Sequence, residues 1–238
     1  MNIKAQVPNT ITLLNLLSGC IALVYATNAN YEMAFIWVCI GIFLDFFDGF
    51  FARLFNVSSP LGLQLDSLAD MVTSGVAPGY VMFRMINENM SLPFEYFAFA
   101  GFLITLGSCY RLANFNIDER QTESFIGLPT PANALFILSL PLVLKYTDSL
   151  ILLEILINPY ILLGICLLSA YILNAEIPLF SLKIKKNFNW AANKLQLSFL
   201  VISVVLLALF QYAGIPLVII FYVILSIINN RFFAKASL

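Results

Sequence analysis

Long apolar runs separated by short polar clusters fill the chain. A helix that crosses a bilayer needs about 20 mostly apolar residues. Eight segments meet or approach that length, at roughly 10–28, 31–54, 66–86, 95–114, 131–147, 155–174, 195–212 and 214–230. The last two are joined by a tight turn at Gly214-Ile215-Pro216. The pattern predicts an all-α polytopic membrane bundle of about eight transmembrane helices. No internal repeat or low-complexity linker is visible, which weighs against transporters built from inverted repeats.

Composition agrees. Of 238 residues, 61% are hydrophobic and 11% charged, against about 25% charged in a soluble domain. A core of this size could not hide so much apolar surface from water, so the chain reads as one membrane domain over 1–238. The N-terminus lacks the form of a cleavable signal and reads as a retained first helix.

With eight spans both termini share a side. Lys4, Arg53, Arg111, Arg120, Lys183, Lys185, Lys186, Lys194, Arg231 and Lys235 fall on that side, and Arg84 and Lys145 on the other. Ten of the twelve basic residues in one set of loops is a positive-inside signal. Both termini are expected to be cytoplasmic. The connection Asn174 to Lys194, which contains Trp190, is the most basic; it reads as a topology signal, or else as a contact for anionic headgroups of membrane lipids. A net charge of −1 offers no basic field for nucleic acid. The absence of His removes the usual zinc ligand and neutral-pH proton shuttle. Cys20, Cys39, Cys109 and Cys166 each stand alone in an apolar segment and imply no disulfide framework.

Against this background, Asp45, Asp48, Asp66 and Asp70 are conspicuous. A carboxylate inside a membrane helix costs a few kcal/mol or more, so four together must face a polar cavity or bind cations. Asp45 and Asp48 are three apart and Asp66 and Asp70 four apart, so each pair shares a helix face. A short loop, about Leu54 to Leu65, makes the two helices antiparallel neighbours and brings all four acids to one depth. Like charges so close need protons or metal. An all-carboxylate set is hard and suits Mg²⁺ or Mn²⁺, with Ca²⁺ less favoured, and two ions would clamp a phosphoryl group. Gly49 would let a nucleotide approach the backbone, Ala52 keeps the face of Asp48 open, and Arg53 offers a forked donor to phosphate. Gly62 is expected where the loop passes close to the site.

The joint pattern D-x2-D-G-x2-A-R-x8-G-x3-D-x3-D fixes Asp45, Asp48, Gly49, Ala52, Arg53, Gly62, Asp66 and Asp70. It resembles the full signature of the CDP-alcohol phosphotransferase family, over residues 8–175. Pro8 to Leu16, Asp66 to Val72 with Gly75 to Pro78, Arg111 to Asn116 with Gly127 to Ala132, and Ile177 to Ser181 resemble the bacterial branch whose acceptor is serine. One position departs from that branch: Asn114 stands where a second basic residue is usual.

The resemblance implies a six-helix catalytic core over 8–175, with 195–230 as an additional helix pair. It also implies a di-metal site on the cytoplasmic face of a bacterial inner membrane, and a homodimer. The implied reaction moves the phosphatidyl group of CDP-diacylglycerol to serine. Asp45, Asp48, Asp66 and Asp70 would hold metal, with Asp70 also the general base. Arg53 would contact phosphate, and Gly49, Ala52 and Gly62 would make room for cytidine. Arg111 is the expected partner of the serine carboxylate, alongside Asn114 and, less directly, Asn116. Glycerol 3-phosphate and inositol are the alternative acceptors, and a cation transporter is the alternative of another class. Asp118, Glu119 and Glu123 read as a solvated loop, and Pro129 and Pro131 as the entry to the fifth helix.

Overall fold

A computed structural model describes residues 3–57, 59–90, 94–118, 120, 126–180 and 193–232. The side chain of Lys4, and Glu119, Glu123, Ser181, Lys183, Lys185, Lys186, Trp190 and Lys235, lie outside the described residues. The described residues form an all-helical bundle: α1 Ile3–Thr27, α2 Tyr31–Leu54, α3 Pro60–Asp70, α4 Ala77–Asn89, α5 Leu103–Phe115, α6 Thr130–Tyr146, α7 Leu150–Ile157, α8 Pro159–Asn174, α9 Lys194–Phe210 and α10 Gly214–Phe232. Among them, Gln6–Thr27, Tyr31–Leu54, Tyr96–Phe115 and Lys194–Arg231 are long and apolar enough to cross a membrane. The α7–α8 pair, bent by 73°, makes a fifth candidate. The chain is thus an integral membrane protein, although length and apolarity alone do not fix eight spans.

Several expected boundaries move for identifiable reasons. The third helix begins at Pro60, not Asp66, because Ser59 caps it by accepting from the Gly62 amide (3.0 Å) and Pro60 occupies the first turn. From there α3 runs into α4 through wider π-helical turns at Met71–Val76. Pro78 cannot donate to the carbonyl four residues back. The ladder adjusts instead: the Ala77 amide bonds Val72 O, and Thr105 Oγ1 on α5 donates to Gly75 O at 2.9 Å. The expected sixth span breaks at Asn158-Pro159, where the Asn158 side chain accepts from Tyr160 and Ile161 amides and starts α8 in a new direction. The last two helices do fold back on each other. The Phe199 and Tyr222 rings lie 5.5 Å apart, where a continuous helix would separate them by about 35 Å. The reversal occurs at Gln211–Ala213, three residues before the expected turn, with Gln211 at φ 48°.

The bundle has two chemically distinct ends. At one, Arg84 donates to Thr27 O and to Glu88, while Lys145 and Tyr146 donate to Glu32. At the other stand all four aspartates with Arg53 and Arg111. Between them an apolar core of Val38, Met82, Ile86, Ile104, Ile137, Leu138 and Leu162 is fully buried. All four cysteines are free.

Near the acidic end, α1 packs on both α2 and the α3–α4 helix. Gly41 makes this possible: a Cβ there would lie 2.6 Å from Thr73 Cγ2 and 2.8 Å from Asn15 Oδ1. Gly41→Ala is therefore expected to destabilise the bundle by about 1–3 kcal/mol, read as a lower Tm of the detergent-solubilised protein.

Candidate active site

The acids come from two helix segments whose faces converge. One oxygen each from Asp45, Asp48 and Asp66 lies within 4.8 Å of the others. Two oxygens bound to one ion at about 2.1–2.4 Å can stand at most about 4.2–4.8 Å apart. The three carboxylates therefore fit a shared divalent cation with little movement, and as an oxygen-only donor set they favour a hard one. Asp70 lies outside this trio but lines the same cleft. Its Oδ1 accepts from Asn15 Nδ2 at 3.1 Å.

The helix α1 supplies the inner support. Thr12 Oγ1 donates to Asp48 Oδ2 at 2.5 Å. Thr73 Oγ1 donates to Asn15 Oδ1 at 2.8 Å, which turns the Asn15 amide so that its NH₂ faces Asp70. Asn15 and Thr73 are fully buried. Sequence reasoning assigned these residues no role. The available signal was polar side chains at Thr12 and Asn15, three apart, inside an apolar span.

Two clefts meet at the carboxylates. The larger, about 570 Å³, is lined by Asp45, Asp48, Asp66 and Asp70 with Arg53, Arg111, Ser67, Asn116 and Thr130. The smaller, about 200 Å³, is lined by Gly49, Ala52 and Gly62 with Pro8, Asn9 and Thr12. Asp48, Gly49 and Asp66 border both. Gly62 belongs to the first turn of α3 rather than to a loop. A Cβ there would crowd Ser59 Oγ (3.2 Å) and Asn9 Oδ1 (3.3 Å). The Arg53 guanidinium lies beside Gly49, 3.4 Å from where a Cβ would sit.

Arg111 is 7% exposed, and its Nη1 donates to Ile126 O (2.8 Å) and Leu173 O (3.0 Å). A guanidinium has five N–H donors. Among the described residues, those on Nε and Nη2 bond no acceptor, and the side chain lines the larger cleft. Asn114 does not join it: it is exposed and is not among the residues that line the cleft. Two residues on, Asn116 takes that place, donating to Ser67 Oγ at 2.8 Å and tying α5 to α3. Asp118 is not freely solvated: its side chain is 8% exposed and pairs with Arg120 at 2.9 Å.

The geometry predicts an order of metal affinities. Asp66→Asn should weaken Mn²⁺ binding at least about tenfold, because it removes the charge of one of three convergent carboxylates. Asp70→Asn should weaken it less. Calorimetry or Mn²⁺ paramagnetic resonance on the purified protein reads both; a larger loss at Asp70 would contradict the grouping.

Residues 5–171 match the family model for CDP-alcohol phosphatidyltransferase. Curated relatives named CDP-diacylglycerol–serine O-phosphatidyltransferase include one from Bacillus subtilis, 38% identical over 127 residues, which covers 52% of this chain and 69% of that protein. The one from Helicobacter pylori strain J99 is 35% identical over 132 residues, 55% of this chain and 54% of its own length. That from Methanocaldococcus jannaschii is 32% identical over 127 residues, 53% of this chain and 56% of its own. The matched region thus spans a little over half of the last two relatives. A family match over most of the chain, falling on the segment that carries the converging aspartates, places this protein in the CDP-alcohol phosphatidyltransferase family.

Proposed function

We propose that this chain transfers the phosphatidyl group of CDP-diacylglycerol to L-serine, giving phosphatidylserine and CMP. The observation that carries the reading is the position of Asp45, Asp48 and Asp66 between a small-walled cleft and a cleft lined by Asp70 and Arg111. A diphosphate seated across that neck would have cytidine beside Gly49, Ala52 and Gly62 and its lipid-side phosphorus toward Asp70. Mg²⁺ or Mn²⁺, as one ion or a pair held by Asp45, Asp48 and Asp66 with Asp70 nearby, would neutralise the diphosphate and the charge that develops on the departing CMP. Arg53, beside Gly49, donates to phosphate oxygens. Asp70, held by Asn15, takes the proton of the serine hydroxyl as its oxygen bonds to phosphorus and the phosphorus–oxygen bond to CMP breaks. The open Nε and Nη2 donors of Arg111 receive the serine carboxylate in forked geometry.

The names of the relatives support serine. So does the cleft. A phosphate-bearing acceptor needs further cations, and this cleft is lined by Arg53 and Arg111 alone among Arg and Lys of the described residues. We place the cleft and both termini on the cytoplasmic side of a bacterial inner membrane. Arg53, Arg111 and Arg120 with the ends of α9 and α10 gather at the acidic end, opposite Arg84 and Lys145, which supports that orientation. The catalytic core over 8–175, the additional helix pair and the homodimer belong to the same proposal.

The deciding test is CMP release by the purified protein from CDP-diacylglycerol with Mn²⁺ or Mg²⁺, comparing serine, glycerol 3-phosphate and inositol. Release with serine alone is expected. Release with another acceptor would keep the family and overturn serine, and none with any acceptor would overturn the reaction. Asp70→Asn should abolish turnover while CDP-lipid still binds. Asn15→Ala should lower kcat about ten- to a hundredfold, because the Asp70 carboxylate loses its anchor. Arg111→Lys should raise the serine KM and leave the KM for CDP-lipid unchanged; an unchanged serine KM would remove Arg111 from the acceptor site.

A further inference from the structure

The pair α9–α10 lies beyond the family match, yet it is connected to the cleft wall by an unbroken chain of contacts. Tyr222 on α10 donates its hydroxyl to Phe180 O at 2.9 Å, and Asn230, two turns on, donates to Pro178 O. The Tyr222 and Phe199 rings enclose Phe180, with centroids 5.0 and 5.7 Å from its own. Leu128 and Leu179 are buried in the same cluster.

The segment so held is bonded in turn to the entrance of α6. Pro178 bridges to Ile126. The Gly127 amide donates to Ile177 O at 2.9 Å, and the Leu128 amide to Ile172 O at 3.1 Å. Gly127 sits at φ +75°, and a Cβ on it would lie 2.5 Å from Leu173 O and 3.1 Å from Arg111 Nη1. Ile126 O, in the segment so bonded, and Leu173 O, in the last turn of α8, are the two acceptors that fix Arg111 Nη1. Pro129, Thr130 and Pro131 then follow directly along the wall of the larger cleft.

We infer that α9–α10 is a positioning device for the acceptor side of the site, with Tyr222 and Asn230 as positioning residues. They fix the 176–180 segment, which fixes Ile126 to Leu128, and Ile126 O, together with Leu173 O at the end of α8, sets where Arg111 points. This extends the proposed function by assigning a role to the additional helices, and it rests on Arg111 as the acceptor partner. A simple membrane anchor would need none of these contacts. The hydroxyl of Tyr222 and the amide of Asn230 are aimed at backbone carbonyls of the segment that builds the wall, while Ile224 on the same helix is exposed and stands outside the cluster around Phe180.

The test uses the full chain in detergent or nanodiscs, comparing Tyr222→Phe, Asn230→Ala and the double variant with Ile224→Ala, a lipid-facing control 49% exposed. In steady-state CMP release, Tyr222→Phe and Asn230→Ala should each raise the acceptor KM about fivefold, with kcat and the KM for CDP-diacylglycerol within about twofold. Equal changes in both KM values, no change in the acceptor KM, or the same shift in the control would overturn the inference. Hydrogen exchange supplies a readout independent of activity: the peptide holding Gly127 and Leu128 should exchange faster in Tyr222→Phe, while α1 and α2 are unaltered. Unchanged exchange there would also overturn it. If the wild-type protein uses another acceptor or none, the serine reading falls, and the exchange result still decides whether α10 holds the wall.

Discussion

A carboxylate moved from water into a membrane-spanning bundle loses hydration worth several kcal/mol, and this chain makes that move at Asp45, Asp48, Asp66 and Asp70. The arrangement of the acidic end answers to that cost. Three of the acids converge closely enough to share a cation. Thr12 donates to Asp48, and Asn15 donates to Asp70. Gly41 removes the side chain that would keep α1 from coming near enough for Asn15 and Thr73 to bond. The polar residues of α1, inert to a hydropathy count, are the inner wall of an acidic site.

The same end of the bundle is irregular where a membrane helix is usually regular. Directly after Asp70 the helix widens, and the Gly75 carbonyl in the widened turns accepts from Thr105 of α5. That bond links the acid-bearing helix to the helix that carries Arg111. Non-helical backbone at this end is likewise paired: Ile126 to Leu128 bonds the 172–180 stretch, and that stretch bonds α10 through Pro178 and Phe180. Backbone groups at such depth have little water to turn to, so each irregular segment leans on the next. The network runs from the last helix to the cleft.

Much of this was legible in the sequence. The eight-position aspartate pattern located the acid cluster and gave the family, because acids in apolar segments have few uses and their spacing of three and four sets their faces. The helical bundle and most helix boundaries followed from apolar run lengths. Two boundaries lie elsewhere than the apolar runs suggest. The start of α3 was placed late, although Ser59-Pro60 is a helix-start signal. The turn between α9 and α10 was assigned to Gly214-Ile215-Pro216, where Gly214 instead allows close packing on Leu206 O. Of the two asparagines expected to help Arg111, Asn114 is exposed and does not line the cleft, while Asn116 lines it and reaches Ser67.

Linear pattern alone singles out which residues are too costly to bury alone, and hence that the aspartates must face a polar cavity or bind cations. That follows from local composition and helical period, which need no knowledge of partners. That Thr12, Asn15 and Thr73 serve those acids, that Asp70 stands apart from the trio, and that Arg111 is fixed by carbonyls 15 and 62 residues away in the chain emerge from the folded bundle. Those contacts depend on the packing distance between helices far apart in sequence, and a linear pattern carries no term for that distance.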